Sequence, residues 1–543
     1  GLTINGQETL LRGGCVHHDN GVLGACTFPD AEERRIRILK QQGFNAIRIS
    51  HNPASRALLE ACDKIGMYVM DEAFDGWYIP KDYHDFSRDF YGEYKNVLRA
   101  VVEKDYNHPS VIMYSVGNEV TETASEKGIA LCGEMRDILH SLDDTRPVTC
   151  GINVLLDVYV KHGFGVYKDN GAYERKPLPE GKHYKDKKAG SAFFNFWAGK
   201  LRGFMFFMSK GKGAEKVVKD IAPSLDIVGL NYASSRYDRD AQKYPERLMV
   251  GSETMAADLP YNWERVKKYK QLIGDFVWSA WDYIGETCMG WTYQSYKGLP
   301  LLANQGMIDI TGLPLASMRY LQVVWGLRKK PVIAVRPLNH SGETPSKGAW
   351  QFTNAIESWT WQGYEGKKII VEVYANAHAV TLMLNGKKLG TKKIKNCRAN
   401  FKVKYKAGTL EAVAHDKSGN EISRLQLSSG GKEVILNAVA DKKVLRANGS
   451  DLCFVEIEFT DKNGNIKPYI EQRVEIQTLG NAAVLQGFGS ALYKTNEVFN
   501  ATFHDSYRGR VLAVFRATER KGKILVTIMS KGVVPVSFEI EVE

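Results

Sequence analysis

The first 325 residues alternate short apolar runs with amphipathic segments of helical period. Eight of the apolar runs are candidate strands: LLRGGCV, FNAIRIS, MYVMDE, VIMYSVGNE, PVTCG, LDIVGLNY, RLMVGSE and DFVWSAWDY. Helical segments such as DAEERRIRILKQQG and SRALLEACDKIG run directly into glycine, a common helix stop. Eight such units predict an α/β fold, a (β/α)8 TIM barrel. An open doubly wound sheet is the alternative, but it predicts a G-x-G-x-x-G loop after the first strand, and none is present there.

After Trp325 the pattern changes to the two-residue alternation of half-buried strands. Examples are KIIVEVYAN and AVTLMLNGKKLG, in which Asn385-Gly386 marks a hairpin turn. A second alternating block begins near Gly431. We therefore predict a catalytic barrel over 1–325 and two immunoglobulin-like β-sandwich domains over 326–430 and 431–543.

The interval 161–219 is too long for an ordinary connection inside a barrel. Its first part is rich in Lys, Tyr and Pro, and its second part is rich in Phe and Trp. Two interpretations stay open: an embellishment packed on the barrel or on a partner subunit, and a flap over the leaving-group side of a substrate.

The chain has a net charge of +11 and a pI near 9.0. We expect mostly a solvated lysine-rich surface, including the run from Lys387 to Lys406; attraction of an acidic ligand or polyanion is the alternative. No nucleic-acid-binding motif and no transmembrane run is evident, so neither nucleic acid nor membrane is an expected partner. The eight cysteines form no C-x-x-C pair and mostly lie in apolar segments. That pattern is typical of reduced thiols and predicts a cytoplasmic protein.

Two carboxylates stand at the ends of predicted barrel strands. Glu119 ends the run NHPSVIMYSVGNE, and Glu253 ends RLMVGSE. Barrel active sites lie at this end of the strands. Glycoside cleavage needs two carboxyl groups, one to protonate the departing oxygen and one to attack or to activate water. One strand-end Glu alone could be a structural ion pair, but two on different strands favour catalysis.

Polar and aromatic residues follow the other predicted strands, a mixture that suits sugar hydroxyls and the apolar face of a sugar ring. Those that we assign to substrate binding are His17, Asp19, Arg48, His51, Asn118, Asn231, Tyr232, Trp278 and Trp281. Further strand-end residues are His18, Asn52, Asp71, Glu72, Asp75, Trp77 and Asp282.

Five motifs, in the same order along the chain, resemble the barrel of glycoside hydrolase family 2, which includes β-galactosidases, β-glucuronidases and β-mannosidases. They are RGGCVHHDNG, GFNAIRISHNP, YVMDEAFDGW, NHPSVIMYSVGNEV and VWSAWDY. The resemblance spans roughly 1–325, and the two later modules resemble the C-terminal β-domains of β-galactosidase-like members. It implies a retaining exo-β-glycosidase in which Glu119 is the acid/base and Glu253 the nucleophile.

The resemblance also implies roles for other residues. Asn118 binds the sugar 2-hydroxyl, and His17 and His51 line the sugar site. Tyr232 lies beside the nucleophile. Trp281, with Trp278 as the second choice, stacks on the sugar.

Two departures from the family pattern bear on cofactor and substrate. Metal-dependent β-galactosidases carry a Glu-x-His motif after the third strand, but DEAFDGW has no His, so we expect no catalytic Mg²⁺ and no cofactor. Glucuronidases carry an Asn-x-Lys motif after the eighth strand, but LLANQGMIDITG has Asn304 without that Lys. We therefore expect a β-galactosidase, with β-glucuronidase as the alternative. A non-catalytic carbohydrate-binding protein is the alternative from another class.

The family's barrel normally follows two β-domains. Here the hairpin LTINGQETLLRG that enters the barrel begins at residue 2, and the chain starts at Gly1 without Met. We expect those N-terminal domains to be missing from this sequence and to be partners of the barrel, beside the glycoside substrate. A homo-oligomer is also conceivable.

Overall fold

The eight predicted strands form a closed barrel in which each strand runs parallel to its neighbours. The computed structural model describes residues 1–81, 85–163, 206–285, 301–342 and 350–543. The barrel strands follow chain order, and the eighth pairs with the first: β3 (Leu11–Val16), β4 (Ala46–Ile49), β5 (Tyr68–Glu72), β6 (Val111–Asn118), β7 (Val148–Ile152), β8 (Ile227–Asn231), β9 (Met249–Met255) and β10 (Leu272–Trp278). A hairpin of β1 (Thr3–Ile4) and β2 (Gln7–Glu8) precedes them. The predicted barrel is confirmed.

Helices occupy the connections between barrel strands and follow the last one. They are α1 (Pro29–Gln42), α2 (Arg56–Ile65), α3 (Phe90–Asp105), α4 (Glu126–Leu142), α5 (Val154–Lys161), α6 (Lys212–Ile221), α7 (Tyr237–Lys243), α8 (Leu259–Lys268) and α9 (Ala316–Val324). The sequence of α2 shows why such segments are helical. The Ser55 hydroxyl oxygen caps its first turn by accepting from the Leu58 amide at 3.2 Å, and Gly66 ends it at φ 77°.

The first β-sandwich consists of two antiparallel sheets. One has the order β11 (Val332–Val335), β12 (Lys368–Tyr374), β15 (Arg398–Lys404), and the other β14 (Lys387–Lys393), β13 (Ala379–Leu384), β16 (Thr409–His415), β17 (Glu421–Ser428). Both sheets contribute to one core around Trp359 and Trp361. The predicted turn at Asn385 and Gly386 is present, with φ 50° and 76°, and it joins β13 to β14.

The second β-sandwich has a four-stranded and a five-stranded sheet. Their orders are β18 (Ile435–Ala440), β20 (Leu452–Thr460), β24 (Arg510–Ala517), β22 (Ala483–Gly489) and β19 (Val444–Leu445), β26 (Val536–Val542), β25 (Gly522–Ser530), β21 (Arg473–Leu479), β23 (Phe503–Asp505). Inward-facing residues such as Val455, Phe515 and Ile540 form its core. The all-β architecture after the barrel is therefore confirmed.

The chain divides into two compact units. The first holds Gly1–His18, Leu39–Ala280 and Trp350, and so contains all eight barrel strands. The second holds Asp19–Ile38 and the described residues from Trp281 onward other than Trp350. The predicted domain limits at 325 and 430 stay predictions. Most of the predicted insertion, from 164 to 205, lies outside the described residues.

The seven cysteines in the described ranges are free thiols, and five of them are buried. Cys26 departs from the predicted burial because it is exposed. Among the described residues, no helix has the length and apolar character needed to cross a membrane.

Candidate active site

The two candidate catalytic carboxylates lie at the C-terminal ends of the fourth and seventh barrel strands. Glu119 directly follows β6, and its amide donates to the Gly151 carbonyl at 2.7 Å. Glu253 lies in β9, in register with Asn231 of β8. Glu119 (φ 46°) and Tyr232 (φ 52°) have left-handed backbones. Such conformations cost a non-glycine residue about 1–3 kcal/mol and concentrate at functional sites.

One side chain contacts both carboxyl groups. The Asn231 amide nitrogen lies 3.1 Å from Glu253 Oε2 and 3.4 Å from Glu119 Oε1. Because both oxygens contact the same nitrogen atom, they cannot be more than 6.5 Å apart. Ser252 holds Asn231 from the other side by donating to its Oδ1 at 2.7 Å. The fold therefore brings the two carboxyl groups together.

Arg48 occupies the centre of the site with its side chain fully buried. Its Nε and Nη2 both donate to Glu72 Oε2, at 3.0 and 2.8 Å. Nη1 donates to Glu253 Oε2 and to the Ser252 carbonyl, each at 3.0 Å, and Nη2 also donates to Asn118 Oδ1 at 2.9 Å. All five N–H donors of the guanidinium are thus used. Gly151 leaves the space that this requires, since a Cβ there would lie 2.8 Å from Nη2.

The two carboxyl groups titrate as a pair. Burial first, and then the negative charge of Glu119, raise the pKa of Glu253 to about 7, while Arg48 opposes the shift. Since Glu253 is affected by an already ionised Glu119, this value marks the pH at which the last proton leaves the pair. Below about pH 7 the pair therefore holds at least one proton.

The hydrogen-bond donors decide which carboxyl group carries a single remaining proton. Glu253 accepts from Arg48, from Asn231 and from the Tyr232 hydroxyl at 2.5 Å. Glu119 accepts only from neutral amides, chiefly Asn153 Nδ2 at 2.8 Å. A charged donor and a short phenol hydrogen bond stabilise an anion more than amides do. The arrangement therefore places the negative charge on Glu253 and the proton on Glu119.

Three of the predicted sugar-site residues form an aromatic cluster. The rings of His51 and Trp278 stack with centroids 5.3 Å apart, and His17 meets Trp278 edge-on at 5.4 Å. His51 Nδ1 donates to Glu72 at 2.6 Å, and Asn118 Nδ2 lies 3.2 Å from His51 Nε2. Burial would raise the pKa of Glu72, but Arg48 and His51 outweigh it and lower that pKa. Glu72 therefore stays ionised and holds the His51 ring in place.

Not every strand-end residue joins this group. Asp19 and Trp281 belong to the second unit, where Asp19 accepts from the Ile284 amide at 3.2 Å and the Trp281 backbone pairs with Ile308. Both are buried, and their role in sugar binding stays a prediction. Trp77 is a core residue: its side chain is buried and its indole nitrogen donates to the Val116 carbonyl at 2.7 Å.

Two side chains that support the catalytic residues are absent from the set predicted by sequence. Asn153 follows β7 at the same end of the barrel, so its position after a strand could have revealed it. Trp350 donates from its indole nitrogen to the Tyr232 hydroxyl at 2.6 Å. It is 118 residues away in sequence, and no local pattern indicates the contact. Glu72 was predicted only as a strand-end residue, yet it is the main counter-charge of Arg48.

The acidic groups near the third strand are paired with protein side chains. Glu72 bonds to Arg48, His51 and Ser115, and Asp75 bonds to Lys81 at 2.9 Å. Within the ranges that the structure describes, no group of three or more His, Cys, Asp or Glu side chains is placed to hold a metal ion. The carboxylates of this loop thus serve to position Arg48 and Lys81.

A parallel barrel with two adjoining carboxyl groups at the C-terminal ends of its strands is the arrangement of a glycoside hydrolase. Comparison with protein families agrees. The model described as "Glycosyl hydrolases family 2, TIM barrel domain" matches residues 1–191, and "Glycoside hydrolase family 2 C-terminal domain 5" matches 436–539. A domain of unknown function matches 366–423. The chain belongs to glycoside hydrolase family 2.

Individual proteins extend the likeness over nearly the whole chain. The β-galactosidase BoGH2A of Bacteroides ovatus is 30% identical over 98% of this chain and 61% of its own length. A putative β-glucuronidase of Formosa agariphila is 26% identical over 89% of this chain and 43% of its own. A solved family 2 structure from Bacteroides cellulosilyticus has a TM-score of 0.81 and 32% identity, and the match covers 99% of this chain and 63% of that one. The chain thus spans about three fifths of the first and third of these proteins.

Proposed function

We propose that this chain is the catalytic part of a retaining exo-β-glycosidase that hydrolyses terminal β-linked sugars, most readily β-galactosides. The observation that carries the proposal is the Asn231 amide nitrogen in contact with both Glu119 and Glu253. Retaining enzymes hold their two carboxyl groups about 5–5.5 Å apart, whereas inverting enzymes separate them by about 6.5–9.5 Å to admit water. An oxygen–oxygen separation of at most 6.5 Å favours the retaining arrangement.

The proposed reaction has two steps. Glu253 attacks the anomeric carbon while Glu119 gives its proton to the leaving oxygen, and the sugar is transferred to Glu253 as an ester. Glu119, now ionised, takes a proton from water, which attacks the anomeric carbon and releases the sugar with retained configuration. Arg48 and Tyr232 support the first step because they stabilise Glu253 as an anion without blocking both of its oxygens with charged groups.

The other residues of the site are assigned to sugar binding. Asn118 is held by Arg48 and Asn231 through its Oδ1, so its amide nitrogen has a fixed direction and is suited to meet a sugar hydroxyl. His17, His51 and Trp278 supply an aromatic wall.

The choice of β-galactoside over β-glucuronide rests on charge. A uronic acid needs a cation for its carboxylate, and residues 301–309 after the eighth strand contain no Lys or Arg. The relatives from Bacteroides ovatus and Formosa agariphila carry one name each, so β-glucuronidase is a genuine competitor. The test is a panel of nitrophenyl β-galactoside, β-glucuronide, β-mannoside and β-glucoside, measured on the full-length parent protein. We expect the highest kcat/KM for the galactoside; a higher value for the glucuronide would overturn the choice of sugar.

The panel requires the full-length protein because this chain spans only about three fifths of its relatives. We propose that the remaining length supplies N-terminal β-domains that complete the sugar pocket. The mass of the intact polypeptide isolated from its natural host tests this. We expect a mass well above the 60.9 kDa of this chain, and a mass equal to it would contradict the proposal.

A further inference from the structure

The positive charge of the chain is concentrated in one segment of the first β-sandwich. Residues 373–410 contain eight lysines, one arginine and neither Asp nor Glu, so they contribute nine of the net +11 charges. The segment lies within 366–423, the part matched by a domain of unknown function. The charge balance of the protein therefore depends on a region to which no role is attached.

The lysines of this segment lie on two strands that adjoin in space. β14 is an edge strand of one sheet and β15 an edge strand of the other, and a turn closed by Lys395 and Arg398 joins them. Lys392 spans the gap: its ammonium donates to the Asn400 carbonyl at 2.6 Å and lies 5.4 Å from the Phe401 ring centroid. The two edges thus form one surface.

We call this surface the lysine strip. It has four lysines on β14, which are Lys387, Lys388, Lys392 and Lys393, and one in the turn, Lys395. Lys402, Lys404 and Lys406 continue it along and just beyond β15. All eight are exposed. Lys402, Lys404 and Lys406 alternate along an extended backbone, which spaces them by about 6–7 Å.

The charges of the lysine strip are not neutralised by the protein around them. Among the described residues none of its lysines takes part in an ion pair, whereas Arg398 next to it bonds to Glu372 at 2.8 Å. Lys404 lies directly opposite Lys368 in the sheet, and like charges in such positions destabilise a strand pair. On β25 and β26, by contrast, Lys523 meets Glu539 at 3.2 Å. The lysine strip therefore contains a repulsion that an anionic partner would relieve.

We propose that the lysine strip binds an acidic polysaccharide, one that carries carboxylate or sulfate groups on successive sugars. Lysine ammonium groups are point charges that suit dispersed anions, while planar phosphate recognition favours arginine. Surfaces for single-stranded nucleic acid also offer aromatic rings on which bases stack. Phe401 and Tyr405, the aromatic residues of β15 and its end, are buried. The choice of a saccharide among polyanions rests on the proposed glycosidase function.

The test measures binding rather than turnover. The strip variant carries Lys388→Gln, Lys393→Gln, Lys402→Gln and Lys404→Gln. These four side chains make no hydrogen bond or ion pair within the described structure, and the change at Lys404 relieves the contact with Lys368. The matched control has the same change of net charge on exposed lysines elsewhere: Lys216→Gln, Lys267→Gln, Lys521→Gln and Lys531→Gln. The probes are polygalacturonate, heparin, neutral dextran and poly(dT).

We expect the unmodified protein to bind polygalacturonate and heparin but not dextran, with affinity falling as salt rises. The strip variant should bind at least ~10-fold more weakly at low salt, and its slope of log affinity against log salt should fall by up to ~0.7 per lysine removed, as for other flexible polyanions. The control variant should stay within about twofold of the unmodified protein.

Equal weakening in both variants would show that only the overall charge matters and would overturn the proposal. Preferential binding of poly(dT) would overturn the choice of polysaccharide. Hydrolysis of an aryl glycoside is measured beside each titration and should be the same in all three proteins. Absence of hydrolysis from every form while strip-dependent binding persists would count against the proposed function and not against the lysine strip.

Discussion

Replacing Tyr232 with Phe should shift the acidic limb of the pH–activity profile upward. The Tyr232 hydroxyl donates to Glu253 Oε1 at 2.5 Å, and it receives a hydrogen bond from Trp350 at 2.6 Å. Burial and the charge of Glu253 raise the pKa of Tyr232 well above its usual value, so the hydroxyl keeps its proton and remains a donor. The substitution removes that donor and changes little else in shape.

A hydrogen bond to a charged group contributes about 1.5–3 kcal/mol. Because one pKa unit corresponds to about 1.36 kcal/mol, the pKa of Glu253 should rise by about 1–2 units in Tyr232→Phe. Glu253 must be ionised to attack, so activity is lost as pH falls through its ionisation. On the acidic side of the profile kcat/KM should therefore fall by roughly 10- to 150-fold.

The alkaline limb should stay in place. It reports loss of the last proton of the pair near pH 7, and the states before and after that loss both contain ionised Glu253. The assay is kcat/KM against pH for an aryl glycoside with a good leaving group, with circular dichroism to show that the variant is folded. Trp350→Phe is the matched control: it removes only the donor to the hydroxyl and should shift the acidic limb in the same direction by less. An acidic limb that does not move in Tyr232→Phe would refute the reasoning.

Three further predictions follow from the same geometry. Glu119→Gln should lower turnover of substrates with poor leaving groups by about 10²–10⁴-fold, or about 3–5 kcal/mol of barrier, and azide should restore part of the activity on activated substrates; equal losses for both kinds of substrate without an azide effect would contradict the acid/base role. Asn153→Asp keeps a helix-capping side chain at the start of α5 but places a carboxylate where an amide donates to Glu119, so the alkaline limb should move upward from about pH 7, while Asn153→Ser, also a capping residue, should leave it lower than Asn153→Asp does. Exhaustive EDTA treatment should leave activity unchanged, and an activity that disappears and returns with Mg²⁺ would show that a metal is required.

The barrel could be predicted because each strand is a short apolar run, and such runs depend on local sequence alone. The positions of Glu119 and Glu253 followed from the same pattern, since parallel strands end at one edge of the barrel. The β-sandwiches were predictable from two-residue alternation and from the Asn385-Gly386 turn.

The network inside the site was not predictable from local pattern. Arg48 contacts residues that are 24, 70 and 205 positions away, and only the closed barrel brings these together. Trp77 shows the opposite error. Its place after a strand suggested a sugar-binding ring, but Gly117 leaves room for the indole, and a Cβ at that glycine would lie 2.8 Å from Trp77 Nε1. Sequence alone does not tell which side of a strand end a ring will occupy.

The central claim is that Glu253 is the nucleophile of a retaining enzyme, and trapping the covalent intermediate tests it most directly. An activated 2-deoxy-2-fluoro glycoside of the sugar preferred in the panel should inactivate the full-length protein and add the mass of one fluorosugar. Peptide mapping should place that sugar on Glu253, and Glu253→Gln should neither hydrolyse substrate nor take up the label. A label on Glu72, or turnover with inverted configuration and no label, would contradict the account.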